Sequence, residues 1–334
     1  MKKGKKVMAP STPADARDSG IDFLKGVLIV LMIYGHVGHI GTLRDIQLEL
    51  VGWIYSFHMP AFLVVSGFFF FDRVKGKAIT TPLLRRLIVP YMVFEPLYLL
   101  GLLISARIGL PTSNEAASDA RSFIFSVFVQ PIGAFWFVHA LIVIQLSFAV
   151  SRAASRKLFE DDRIVWFGAV LLLGGAVQLG IVRQSAPAFF LIGLTIAALK
   201  QDVKQNIWLS ILAIATCLIL NHSGLKEFSF LQIAWVLGII GVFTNLAAIL
   251  PNMIVRLFAF IGRNTLILLI THAFFVVAMK PLAARFLGID PTGLLFTLTT
   301  VSLACIGGVA SSRALDALRL SSALFGTKRL YAPF

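Results

Sequence analysis

The stretch IDFLKGVLIVLMIYGH, residues 21–36, decides how the rest of the chain is read. It is apolar enough to begin a membrane-spanning helix, yet it holds Asp22 and Lys25 near one end and His36 at the other. Ionisable groups are costly against lipid, so within a span they face the bundle interior and serve a function. Asp22 and Lys25 are three positions apart, which puts them on one helical face where they can pair. Lys25 and His36 are eleven apart, so His36 returns to roughly the same face about 16 Å further along. One face therefore carries a cation near one membrane surface and an imidazole deep in the opposite half.

The whole composition agrees with a membrane setting. Of 334 residues, 58% are hydrophobic and 14% charged, and the mean hydropathy is +0.87. A soluble domain carries nearer a quarter charged residues. The apolar runs are continuous rather than alternating at every second position, which excludes a β-barrel. The expected fold class is an all-α polytopic membrane protein. A net charge of +14 suits positively charged loops lying against anionic membrane lipids better than nucleic acid, which is not expected as a partner. Cys217 and Cys305 each sit in an apolar run and read as small core residues rather than as a disulfide or metal pair. The basic head MKKGKK precedes a hydrophobic run with no A-x-A-like site, so it reads as leading into a retained first span.

Ten spans are expected, at about 21–40, 51–71, 83–106, 133–150, 164–181, 185–199, 206–221, 230–250, 264–281 and 293–311, the sixth and seventh being short. With the amino terminus inside, 22 of the 30 Lys and Arg fall in cytoplasmic segments and 7 in external ones. That bias supports ten spans with both termini cytoplasmic, because an extra or missing span in the middle would scramble it. The chain then divides into a basic cytoplasmic tail over 1–20, a transmembrane domain over 21–311 and a cytoplasmic tail over 312–334. The longest external stretch, 107–132, is polar and then aromatic, and is long enough to shape an entrance. No internal repeat is visible.

Several groups are candidates for chemistry. His36 reads either as a histidine hydrogen-bonded between helices or as a general base, since neutral imidazole can take a proton from a hydroxyl near pH 7. His39 reads as a solvated end residue. His58, in FHMPAFLVVSGFFF, lies at a depth similar to His36, and the two can line one cavity. Pro60 loosens its helix, and Ser66-Gly67 permits close backbone approach. Arg85 and Arg86 open the third span, after Arg73, Lys75 and Lys77. They read as positive-inside sorting or as a phosphate clamp, for which forked guanidinium donors are suited. Glu95, beside Pro96, either pairs with an internal cation or lines a polar path. Trp136, in GAFWFVHAL with His139, reads as part of an aromatic belt or as a platform for a sugar ring. His272 sits mid-span, and Asn264 reads as the cap of that helix. No metal motif, phosphate-loop glycine pattern or G-x-S-x-G elbow occurs.

In order, IDFLKGVLIVLMIYGH, FHMPAFLVVSGFFF, RRLIVPY, AFWFVHAL, AFFLIGL and IGRNTLILLITHAFF resemble the acyltransferase family 3 membrane proteins, in particular the fucose 4-O-acetylase-like branch. The resemblance covers about 20–280. It implies ten spans and transfer of an acyl group, usually acetyl from cytoplasmic acetyl-CoA, to a glycan at the external face, with His36 as the catalytic histidine. The basic residue eleven before that histidine is often Arg in the family. Here it is Lys25, which keeps the charge and loses bidentate pairing. Of the family's spaced arginine pair before the third span, Arg86 fits the second position, while Leu83 stands at the first and Arg85 is adjacent.

The expectation is a bacterial inner-membrane, acetyl-CoA-dependent O-acetyltransferase of a surface or exported polysaccharide or its lipid-linked precursor, with no permanently bound cofactor. His36 is the expected general base, with Asp22 and Lys25 beside the donor channel. Arg73, Arg85 and Arg86 are expected on the donor phosphates, and His58, Glu95, Trp136 and His272 around the acceptor. The alternatives are a glycolipid or polysaccharide transporter or flippase using the same polar groups as a path, and a non-catalytic scaffold. The sequence leaves oligomeric state open.

Overall fold

The computed structural model describes residues 19–75, 81–109, 119–158, 162–220, 225 and 227–334. Most of the expected basic tail, residues 1–18, lies outside these, as do Lys77 and residues 110–118 of the long external stretch. In lipid every backbone polar group must be satisfied within its own segment or a closed sheet, so continuous apolar runs become helices. Among the described residues there are fourteen α-helices and no strand. They are α1 (Ser19–His36), α2 (Arg44–Lys75), α3 (Thr81–Arg107), α4 (Ala120–Phe128), α5 (Phe135–Leu158), α6 (Asp162–Gln178) and α7 (Ser185–Ala198). They continue with α8 (Ile207–Leu220), α9 (Phe230–Leu246), α10 (Asn252–Arg263), α11 (Thr265–Met279), α12 (Ala283–Ile289), α13 (Leu294–Ala317) and α14 (Leu320–Phe325).

Six helices are long and apolar enough to cross a membrane: α1, α2, α3, α5, α11 continued through α12, and α13. Four shorter apolar helices, α6 to α9, fall on the four remaining apolar runs. With 14 to 17 residues they are below the roughly 20 needed to cross about 30 Å of hydrocarbon.

The opening stretch becomes the inner helix of the bundle. α1 packs against α2, α9, α10, α11 and α13, and Leu24, Leu28, Ile29, Met32 and Ile33 have no accessible surface. Large apolar side chains on the outer helices, such as Phe167, Leu171, Trp208, Ile219, Leu298 and Ile306, are exposed. That distribution suits a bundle surrounded by lipid, where the outside is as apolar as the inside.

Two glycine pairs set the closest crossings. A Cβ on Gly67 of α2 would overlap the Phe190 carbonyl oxygen, and one on Gly193 of α7 would overlap that of Val64. Gly26 of α1 meets the Phe258 carbonyl, and Gly262 of α10 meets that of Asp22. Small residues on both sides let backbones touch, which is a principal source of helix association in membranes.

Pro60 leaves the Ser56 carbonyl of α2 without its intrahelical donor. Gln232 of α9 supplies one through Nε2 at 3.2 Å, while Trp235 Nε1 donates to Ser56 Oγ at 2.9 Å. The loosened turn is thereby stitched to a neighbouring helix, a few residues from His58.

Two expectations are corrected. His39 is buried, 5% exposed, because the 37–43 loop folds under the 290–293 turn, where Thr42 N–H donates to the Pro291 carbonyl at 2.9 Å. Its Nδ1 lies 3.3 Å from Thr297 Oγ1, and burial lowers its pKa. Asn264 precedes α11 without capping it by its side chain. Its amide binds the returning carboxy-terminal segment instead, accepting from Ala332 N–H at 3.0 Å and donating to the Ala332 carbonyl at 3.2 Å. Asp316 accepts from the N–H groups of Leu330 and Tyr331, so residues 327–334 lie strapped across the start of α11.

Candidate functional site

At the end of α1 the chain must leave the helix, and His36 is its last residue. Its Nδ1 is 2.8 Å from the Met32 carbonyl oxygen. A carbonyl can only accept, so Nδ1 carries the hydrogen and a neutral ring presents the Nε2 lone pair. The bond is to its own helix rather than across to a neighbour. His58 Nδ1 uses the Ile54 carbonyl at 2.7 Å in the same way.

Two cavities meet at His36, and Tyr55 and Gly133 line both. The first, about 400 Å³, adds Met32, His58, Pro60, Trp136, Arg183 and Gln232 among its walls. The second, about 310 Å³, runs between α3 and α11 past Tyr98, Leu102 and Ala273 to Lys280. Both volumes suit a small-molecule site. The start of α7 contributes to the first cavity: Ser185 in its first turn and Arg183 in the chain just ahead of it are both wall residues. A neighbouring cavity of about 340 Å³ shares Pro131, Trp136 and Arg183 with the first and extends past His139. Arg183 lies over the Trp136 ring, 5.5 Å from its centroid.

His272 and Glu95 are buried completely and are not among the wall residues. The His272 ring stands edge-on behind His36, with centroids 5.2 Å apart, and its Nδ1 is held by the Leu268 and Leu269 carbonyls. Glu95 Oε1 accepts the Ile132 N–H at 3.0 Å. It thereby holds the irregular 129–134 segment, whose Pro131 and Gly133 do form walls. Just ahead of that segment, Tyr91 and His139 grip the end of α4 at the Val127 and Phe128 carbonyls. Glu95 Oε2 has no hydrogen-bond partner among the described residues.

At the other end of α1, Lys25 Nζ lies 2.6 Å from Asp22 Oδ1. Lys25, Arg73 and Arg86 line one vestibule of about 290 Å³, together with Ser66, Gln145 and Leu266. Arg85 is exposed and outside this lining. The arginine next to Arg85 is thus the one that joins Arg73 and Lys25.

Vestibule and histidine cavity share no wall residue. On α2 their linings end at Pro60 and resume at Val65; on α5 they end at Trp136 and resume at Leu141. Between them Phe62 and Phe137 are buried and packed edge to face, centroids 6.0 Å apart; on α1, Leu28, between the wall residues Lys25 and Met32, is fully buried. This septum is one to two helical turns thick.

Sequence reasoning missed Arg183, Tyr55, Gln232 and Lys280. Each is a common residue beside a helix end or inside an apolar run, and only its place in the wall of a cavity that reaches His36 distinguishes it.

The chain is 24% identical over 242 residues to Nodulation protein NolL of Sinorhizobium fredii (strain NBRC 101917 / NGR234), covering 67% of this chain and 57% of that protein. It is 26% identical over 131 residues to Nodulation protein NolL of Mesorhizobium japonicum (strain LMG 29417 / CECT 9101 / MAFF 303099), covering 38% of this chain and 34% of that one. The chain therefore spans between a third and just over half of these curated relatives. No solved structure matches it. A family profile described as an acyltransferase domain matches residues 18–312. That range takes in the inner helix and every helix that builds the histidine cavity and the basic vestibule, and the chain accordingly belongs to acyltransferase family 3.

Proposed function

We propose that the protein moves an acetyl group from cytoplasmic acetyl-CoA to a sugar hydroxyl of a surface or exported polysaccharide, or of its lipid-linked precursor. His36 is the general base. The observation that carries this reading is the placement of two unlike chambers along one helix: a basic vestibule at Lys25 and a histidine cavity at His36. In this reading α1 to α3, α5 to α9, α11 and α13 are the ten spans, both termini are cytoplasmic and the membrane is the bacterial inner membrane. The charge bias of the loops supports that orientation.

Lys25, Arg73 and Arg86 receive the nucleotide phosphates of the donor, for which charge-assisted hydrogen bonds are suited. The pantetheine arm passes the Phe62–Phe137 septum to bring the thioester beside His36. The acceptor sugar enters from outside and places one hydroxyl at Nε2. The hydroxyl oxygen attacks the thioester carbonyl as Nε2 takes its proton. The tetrahedral carbon then releases CoA by breaking its C–S bond, and the sulfur leaves with the proton held by His36. Nδ1–H on the Met32 carbonyl fixes the tautomer, and His272 backs the ring. Positioning both reactants supplies much of the rate.

The test uses the purified chain, labelled acetyl-CoA and a candidate glycan, with label on the sugar as readout. His36→Ala should lower the transfer rate by about 10²–10⁴-fold while leaving the protein folded and inserted. Transfer at the wild-type rate in that variant removes His36 from the mechanism.

A further inference from the structure

The reading above names a sugar hydroxyl but not the kind of glycan that carries it, and the walls around His36 bear on that. Arg183 lines two neighbouring chambers, the 400 Å³ cavity that reaches His36 and the 340 Å³ cavity beside it. Trp136 lines both and holds the guanidinium over its ring. A stacked guanidinium is pre-organised, losing less freedom when its donors engage a ligand. A second cation, Lys280, lines the other cavity that reaches His36. No aspartate or glutamate is among the described residues lining any of the three.

Cations at this end run against the general trend of the sequence, which concentrates Lys and Arg at the opposite face. A charge placed there, against a tryptophan and with no acid in the walls, is suited to an anion brought by the ligand. The paired chambers also offer room for more than one sugar unit, with the arginine between the acetylated position and its neighbour.

We infer that the acceptor is an anionic glycan, seated with its negative group on Arg183 while a hydroxyl of the adjoining sugar reaches His36. The group is either a carboxylate on a sugar or a phosphate joining the sugar to a lipid carrier. Both present the paired oxygens that a guanidinium fork takes. This rests on the cavity being the acceptor side of the proposed transferase.

Binding and transfer are therefore measured separately. Binding to the detergent-purified full chain, without donor, is measured by calorimetry for three probes: a glucuronic-acid trisaccharide, its carboxyl-reduced neutral counterpart, and glucose linked through phosphate to an undecyl chain. At least one anionic probe should bind at least about tenfold more tightly than the neutral one, and added salt should erode the difference. Which of the two wins identifies carboxylate or carrier phosphate. Arg183→Gln should abolish the preference, Arg183→Lys should retain part of it, and Arg121→Gln, outside these chambers, should leave it whole. Equal binding of charged and neutral probes, no binding of any probe, or a preference that survives Arg183→Gln overturns the inference. Labelled acetyl-CoA is then added: anion-selective binding with no label on any probe would sink the transferase reading and leave the anion site standing, whereas transfer to neutral and charged probes alike would do the reverse.

Discussion

Glu95 shows how a single buried side chain acts on the cavity without touching it. Its one satisfied oxygen holds the Ile132 N–H, and the residues on either side of Ile132 are cavity walls. Removing the acceptor frees that segment, and leaving a buried N–H unpaired costs about 1–3 kcal/mol. Glu95→Ala should therefore raise the acceptor KM and lower the melting temperature in detergent, whereas Glu95→Gln, which keeps an acceptor oxygen there, should restore most of both. Equal damage from the two variants would assign the effect to lost charge instead. At this scale the sequence was informative about identity and less so about contact. An acid in an apolar run announces itself as purposeful, but the sequence offered a cation or a polar path as its partner, and the partner is a backbone N–H 37 residues away. His36 was legible because its spacing from Lys25 follows from helix geometry alone. Arg183 was not, since its meaning comes from a tryptophan on another helix.

Glycine sets the closest crossings between elements. α2 and α7 meet where Gly67 and Gly193 each face a carbonyl of the other helix, and this crossing carries the wall that includes Ser185. Gly193→Ala should force the pair apart and destabilise by roughly 1–3 kcal/mol, as overpacking does. Gly174→Ala, where a Cβ meets nothing within 4 Å, should shift the melting temperature little. A comparable loss in both would show that the crossing is not held by close approach. Among the described residues the apolar runs located the six helices long and apolar enough to cross a membrane and the four shorter apolar ones, because their composition is local. Ends were less legible: α2 runs from Arg44 to Lys75 where 51–71 was expected, and α5 runs on to Leu158 where 150 was expected, because polar flanks continue a helix without extending the apolar run. The strap over 327–334 was invisible too, since Asn264 has the sequence position of a helix cap and its amide is used across the fold.

For the whole molecule, the separation of a basic chamber from a histidine chamber means that, in the proposed reaction, donor and acceptor binding should be separable by mutation. Arg86→Glu should raise the apparent KM for acetyl-CoA by about tenfold or more, since it removes one charge-assisted contact and adds a repulsion, with the acceptor KM unmoved. Arg85→Glu, outside the vestibule, should do much less. Parallel changes in both variants would point to a general surface potential rather than a clamp. The family and the helical class were readable from ordered motifs and composition, and the singled-out residues include part of each chamber's lining: Lys25, Arg73 and Arg86 in one, His36, His58 and Trp136 in the other. The septum was not, because Phe62 and Phe137 are ordinary aromatic residues until they are seen to face each other.

That septum has a consequence beyond the reaction. A bore wide enough for a pantetheine arm and open at both ends would also conduct protons and small ions, collapsing the gradients on which the cell runs. Phe62 and Phe137 packed edge to face between the two chambers, with Leu28 fully buried on α1, put apolar side chains where such a bore would run, so that in the proposed reaction the bilayer keeps its insulation while a chemical group is handed across.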